Sequence, residues 1–495
     1  MARFASVLSH RVARNRFARF ALWPSTGPRL SFVFVLLYAG IFPVFFPLLT
    51  WYAIPHTSFA SITGRNTFAA IGLAFVSIVL ILLNRQMWTV AQNRAARSVA
   101  ITILAGWLGA SACLLLTYPG QSTDIADYSF RAHMLVHLGK NPLTTPPSAV
   151  IPFDSYPYLS WYRVVDPYGP VWHWLAGGLH ALVGDDVLAN FLAFKLLAII
   201  ATGVAGVFIY AILRRIASPY AMAGLVLWLW NPLVLNEGAL NGHNDLVMVA
   251  IMLAGLWLML GRHATVGVVT LVVAGLVKVS AWILLPVVFV WLLRQRGWRH
   301  GLAVIVPASC AGGLLVFLAY APFGGWALLP EMLKDRSWWP TGTWTAAAFY
   351  ALRDGLHWPH DTVVGWVIGS VTLLFGIIAM ILMVKIRDLR ACAWSVVLAY
   401  LLIASHWFQP WYATWLVALA AIAIDRRLAT YTIVFTFFML LHPIVAQYVA
   451  SQVNLPPGGN DLIMAAATLL VPQVLALRLI VMSKKLGLKH DLVVT

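Results

Sequence analysis

The stretch SFVFVLLYAGIFPVFFPLLTWY (31–52) carries no charged residue, and apolar strings of similar kind recur at 67–84, 99–118, 187–213, 362–384, 428–450 and 462–482. Coiled as helices, such runs match the thickness of a bilayer's hydrocarbon core. In lipid a backbone must satisfy its own polar groups, so a chain of this kind folds as a helical bundle or a closed barrel, and runs this long choose helices. Shorter apolar segments at 219–235, 245–260, 265–277, 279–293, 301–321, 391–407 and 411–424 bring the expected number of spans to about twelve to fourteen. With 61% hydrophobic and 10% charged residues, a soluble domain is excluded. The expectation is an all-α polytopic membrane protein.

The net charge of +17 does not indicate a nucleic-acid partner, because almost every Lys and Arg flanks an apolar segment. With the N-terminus inside, the cytoplasmic connectors hold 23 of the 33 basic residues but only Asp388, Asp425 and Asp491 of the 16 acids. The basic bias sets the orientation, and it places the other carboxylates at or near the outer face. Residues 1–30 read as a basic cytoplasmic arm lying on the membrane surface, and 31–495 as a single transmembrane domain. Cys113, Cys310 and Cys392 all lie in apolar segments, so neither a disulfide framework nor a cysteine metal site is expected.

Two long outer loops, 119–186 and 322–361, interrupt the apolar pattern, and loops of that length commonly carry function. In the first, DIADYSFRAHMLVHLG (124–139) has helical spacing that puts Asp124, Asp127 and Arg131 on one face. DPYGPVWHWLAGGLHALVG (166–184) opens on a turn at Tyr168 and continues as an interfacial or re-entrant helix. Between apolar segments stand NEGALNGHND (236–245), a lone Lys278 and HWFQPWY (406–412); the second loop adds PEMLKDRSWW (330–339) with Arg336.

Each of these residues has a plain reading beside a chemical one. Asp124 or Asp127 suits a general base or a ligand for a divalent ion, but an acid at a helix start also favours the helix dipole. Asn241 and Asp245 fit capping and first-turn positions of a following helix, which leaves Glu237, His243 and Asn244 for substrate or ion. Arg131 and Lys278 suit a phosphate; an i,i+4 pair with Asp127 is the alternative for Arg131, and snorkelling or a remote ion pair the alternative for Lys278, while Lys195 in its apolar segment is expected to find an ion-pair partner. His406, Gln409, Trp411 and Tyr412 offer hydrogen bonds and flat rings to a sugar. His133 and His137 have the spacing of a zinc pair, but Met134 stands where a zinc protease carries its glutamate, so no protease motif is read there.

Taken together, STDIADY (122–128), GKNPL (139–143), YGP (168–170), NPLVLNEGALNGHND (231–245), Lys278 and FQPWY (408–412) resemble the integral-membrane glycosyltransferases of the GT-C class. The set is most similar to the polyprenol-phosphate-mannose-dependent mannosyltransferases of actinobacterial lipomannan synthesis. The resemblance covers roughly residues 100–420 and implies a GT-C-type bundle whose large extracytoplasmic loops bear interfacial helices. It further implies an outward-facing cavity where a polyprenyl-phosphate-sugar donor meets a glycolipid or glycan acceptor, with membrane lipid as the surroundings. Asp124 occupies the position of that family's base; the STDIADY spacing departs from the common pattern and keeps Asp127 as the alternative. The expected cofactor is either none or a divalent cation such as Mg²⁺ or Mn²⁺. A transferase of polyprenyl-phosphate arabinofuranose or glucose, and a glycolipid flippase or secondary transporter, are the competing functions.

Overall fold

The computed structural model describes residues 26–48, 67–93, 97–119, 122–152, 159–216, 218–330, 340–446 and 455–485. Most of the basic arm and all of 331–339, with Arg336, lie outside them. The first three helices among the described residues are α1 (Thr26–Phe45), α2 (Thr67–Asn93) and α3 (Arg97–Leu115). The first loop holds α4 (Asp124–Val136) and α5 (Pro170–Val183), followed by the long α6 (Val187–Ile216). Next come α7 (Ala221–Leu229), α8 (Pro232–Leu235), α9 (Asp245–Met259), α10 (Ala264–Val277) and α11 (Leu284–Tyr320). The second loop carries α12 (Trp344–Tyr350) and leads into α13 (His360–Val363). The chain then forms α14 (Gly369–Lys385), α15 (Leu389–Ala399), α16 (Ala413–Ala423), α17 (Arg426–Ile444), α18 (Gly459–Ala465) and α19 (Val471–Lys485). There is no β-sheet among the described residues, and eight helices are long and apolar enough to cross a membrane. The protein is a multi-pass, all-α membrane protein.

Burial sorts the helices into shells. All eleven residues of α16 are buried, as is most of α7, whereas Ala379 alone is buried on α14. Leu373 and Met380 of α14 are 67% and 58% exposed, as expected of a surface that faces hydrocarbon. The short apolar helices therefore line the interior, and the long ones wrap them. The expected spans at 279–293 and 301–321 belong to one helical stretch split by Gly297, whose φ of 74° breaks the coil.

The segment 219–235 does not form one helix. After α7 the Asn231 side chain accepts from Leu233 N and Pro232 takes the first helical position, so a new helix starts there. It widens at once into a π turn, Asn236–Leu240. Gly242, at φ 67°, then reverses the chain, and α8 plus the π turn meet α9 at 117°. NEGALNGHND is thus the apex of a broken span rather than a loop between two whole ones.

Lys195, fully buried on α6, does not use a carboxylate. Its Nζ donates to Leu114 O at 2.6 Å, Leu115 O at 3.0 Å and Thr117 O. The ammonium's three donors are matched to carbonyls at and just beyond the C-terminus of α3, in place of the remote ion pair expected from sequence.

Candidate functional site

The site forms where α4, α9, α10 and the 410–412 turn end against one another. Asp124 is the first residue of α4, but its carboxylate does not cap the helix. Tyr168 Oη donates to Oδ2 at 3.1 Å, Tyr128 Oη to the same oxygen at 3.4 Å, and Trp161 Nε1 to Oδ1 at 3.4 Å. Tyr168 reaches it because the YGP turn is pressed onto the end of α10. Gly169 N donates to Val277 O at 3.1 Å, and a Cβ at 169 would lie 2.0 Å from Leu276 O. Only glycine fits that approach.

On the other side of Asp124 lies His243, completely buried. Its Nδ1 is 3.7 Å from Asp124 Oδ2, and its Nε2 is 3.1 Å from Glu237 Oε2. Neither ring nitrogen is aligned for a linear hydrogen bond. Glu237 projects from the π turn, a local widening often found where a helix must aim a side chain, and accepts from Asn241 Nδ2 at 3.0 Å. Asn241 therefore serves Glu237 rather than capping the next helix. Asn244 precedes α9 without capping it, and both atoms of its amide are buried without a partner among the described residues.

Asp245 begins α9 and is fully paired. Lys278 Nζ, at the break after α10, donates to Oδ2 at 2.7 Å, and Trp415 Nε1 donates to Oδ1 at 2.7 Å. Three rings surround the ammonium: Tyr412 at 4.6 Å, Tyr168 at 5.4 Å and Trp415 at 5.8 Å to the centroids. Such a box compensates the cost of burying lysine by combining an ion pair with cation–π contact. From the same 3₁₀ turn, Trp411 stacks on His243 with centroids 4.0 Å apart. The motifs NEGALNGHND, YGP, QPWY and Lys278 are thus one cluster in space.

Asp127 and Arg131 face the loop. Asp127 Oδ1 accepts from Trp161 N at 3.1 Å, and its other oxygen is buried without a partner among the described residues. Burial pushes its carboxyl up to about 8; nearby Asp124 adds to the rise, while Arg131 and the Trp161 and Ser160 amides oppose it. Arg131 does not make the close pair with Asp127 that was the alternative to a phosphate contact. Its Nη2 donates to Trp161 O at 3.0 Å and Val164 O at 2.8 Å, and its Nε lies 3.7 Å from Asp166. It clamps the loop that delivers Trp161. Asp166 in turn stands 3.7 Å from the buried His173.

Trp161 is the residue that sequence reading passes over. It touches Asp124 and Asp127 as a donor, receives Arg131, and lies 5.1 Å from the Trp407 ring. The only signal is its position at the end of NPLTTPPSAVIPFDSYPYLSW (141–161), a run with five prolines that breaks regular structure. His406 and Gln409 are half-buried just before the turn; the backbone of His406 accepts from Thr341 N at 2.8 Å, and Phe408 N donates back to Thr341 O at 3.1 Å. The structure thereby ties the second loop to the cluster, with His406 and Gln409 at its rim.

A second grouping lies at the far end of α4. His133, His137, His180 and Asp185 present ligand atoms all within 4.8 Å of one another, an arrangement able to hold a divalent ion.

This multi-pass helical bundle, with carboxylates and aromatics gathered beneath a large loop, is a membrane fold of the GT-C type. Residues 30–294 match the family described as alpha-(1->6)-mannopyranosyltransferase, N-terminal domain, and the chain belongs to that family. It is 32% identical over 354 residues to alpha-(1->6)-mannopyranosyltransferase A of Mycobacterium tuberculosis, covering 65% of each chain. It is 32% identical over 183 residues to the protein of the same name from Corynebacterium glutamicum, covering 36% of each. The matched stretches span less than two thirds of these relatives' lengths. No solved structure matches the chain. The family match covers Asp124, Glu237, His243, Asp245 and Lys278, and stops before Trp411.

Proposed function

We propose that the protein transfers mannose, with inversion, from a polyprenyl-phosphate-linked donor to a glycolipid or lipid-linked glycan at the outer face of the cytoplasmic membrane. The observation that carries this reading is Asp124, held by Tyr168, Tyr128 and Trp161 and standing 3.7 Å from His243. An acceptor hydroxyl would give its proton to the Asp124 carboxylate as its oxygen bonds to the anomeric carbon. The bond from that carbon to the phosphate oxygen breaks on the opposite face, and polyprenyl phosphate departs with the electron pair. A β-linked donor then yields an α-mannoside, and the relatives' names favour the 1→6 linkage.

Asp127 suits the base role less well, because a carboxyl raised to about 8 holds its proton at neutral pH. The N-termini of α4 and α9 both open toward the site, and their dipoles favour the leaving phosphate, with Lys278 nearby as a point charge. The unpartnered Asn244 amide suits sugar hydroxyls, and Trp411 and Trp161 suit the flat face of the ring. His243 stands between the Asp124 and Glu237 carboxylates and is stacked on Trp411. The basic bias of the opposite connectors supports the outward orientation.

The test is a donor screen with purified protein, comparing polyprenyl-phosphate mannose, glucose and arabinofuranose with a glycolipid acceptor. Transfer from the mannose donor, lost in Asp124→Asn, is the expected result. Transfer from another donor would replace the sugar in this reading. Movement of an intact glycolipid across vesicles without any transfer would replace transferase by flippase.

A further inference from the structure

We propose that His133, His137, His180 and Asp185 form a zinc-type site that braces the end of α4 against the end of α5. His133 and His137 are one helical turn apart on α4 and share a face. His180 lies in the last turn of α5, and Gly184, at φ 74°, turns the chain back so that Asp185 faces all three rings. Asp185 Oδ1 is 2.6 Å from His133 Nδ1, 3.1 Å from His180 Nε2 and 3.9 Å from His137 Nε2.

The surroundings of His180 decide which nitrogen is available. Asn190 Nδ2 donates to Gly184 O at 2.7 Å and Asp186 O at 2.8 Å, which fixes its Oδ1 as an acceptor 2.9 Å from His180 Nδ1. The proton of neutral His180 therefore sits on Nδ1, and the Nε2 lone pair points at the Asp185 carboxylate oxygen. Two acceptors facing each other at 3.1 Å repel unless a proton or a metal ion stands between them, and the four converging ligand atoms favour the metal. A ring nitrogen oriented by a hydrogen bond on its other side is the usual arrangement of a metal-bound histidine.

Three imidazoles and one carboxylate suit zinc and its neighbours, whereas Mg²⁺ and Mn²⁺ prefer oxygen ligands. A tetrahedral ion would draw the four atoms to separations of about 3.4 Å. His137 and Asp185, 44% and 62% exposed, are free to close in. With four protein ligands the site is of the closed, structural kind. Nine residues of helix put His133 about 13 Å from Asp124, too far for the ion to touch the reacting atoms. Its effect is positional: α5 follows directly on the YGP turn, so a fixed α4–α5 wedge holds Tyr168 against Asp124.

The test uses the full-length protein, purified without a polyhistidine tag and stripped with chelator. Addition of Co²⁺ should give the visible absorption of a tetrahedral centre, and Zn²⁺ should displace it and raise the thermal midpoint, while Mg²⁺ and Mn²⁺ at the same concentration should not. His137→Ala and Asp185→Asn alter exposed side chains and leave the fold intact. Each should weaken Co²⁺ binding by at least ~10-fold, the lower bound for loss even of an outer-sphere partner. Absence of Co²⁺ uptake at micromolar concentration would overturn the proposal. So would unchanged affinity in both variants, or stabilisation by Mg²⁺ equal to that by Zn²⁺.

Discussion

The two ends of helix α4 hold ionisable groups in opposite circumstances. At its start Asp124, Asp127 and Arg131 are 5%, 3% and 3% exposed, and each is held by rings, amides or carbonyls of other elements. At its end the side chains of His137 and Asp185 are 44% and 62% exposed and meet mainly one another. A buried carboxylate is constrained by what it would cost to leave it unpaired, so its partners are fixed in advance. The two exposed members of the second cluster stay interchangeable with water, which suits an ion that arrives from solution. One helix thus presents a site adapted to a reaction and a site adapted to a brace.

The strongest way to separate the two ends is Asp124→Asn. Loss of the base should lower the transfer rate by ~10²–10⁴-fold with an unchanged thermal midpoint, measured as product formed by purified protein. Near-normal turnover in that variant would move the base elsewhere. Next in size is Lys278→Met, which leaves Asp245 buried opposite an apolar side chain. It should destabilise the protein by about 3–5 kcal/mol, read as a thermal shift in detergent, and adding Asp245→Asn should recover part of the loss.

Asp127 gives a pH-dependent test. Its folded value of about 8 lies above the ordinary carboxyl value near 4 that applies in the unfolded chain. Between those two values the native state keeps a proton that the unfolded state has lost, so stability contributed by this group falls as pH rises across that window and levels off above it. Asp127→Asn should flatten the stability profile from about pH 4 to 8, and an unchanged slope would remove Asp127 as its source. The smallest effect is expected for Trp411→Ala. Losing its stacking on His243 should cost about 0.5–1.5 kcal/mol, a ~2–10-fold fall in kcat/KM.

Much of this was legible from residues alone where one physical rule dominated. Apolar length announced the spans, and the cost of a lysine in lipid announced Lys278 as a residue with a partner. Asp124 was legible because it opens a helix in a long loop. The partners were not. Nothing local says that Lys278 meets Asp245, or that Lys195 meets three carbonyls, because those pairings are made by packing between distant segments. Capping explained Asn241 cheaply from spacing, yet Glu237 took it instead; Asp245 does stand in the first turn of α9, and pairs with Lys278 as well. The pair His133 and His137 was visible but incomplete; His180 and Asp185 joined it only when α5 folded back beside α4. Trp161 followed five prolines with no periodicity to mark it, and only the geometry reveals its three contacts.

The π turn at Asn236–Leu240 has a genetic corollary. A π turn accommodates one residue more than the α-helix around it, and each residue advances helical phase by about 100°. Whether position 237 points at His243 is therefore set by residue count as much as by residue identity. Removing one codon here would leave nearly every letter of NEGALNGHND in place and still rotate the glutamate away from the imidazole. In comparing related chains, a single-residue gap beside GHND is as informative as a substitution at the glutamate itself.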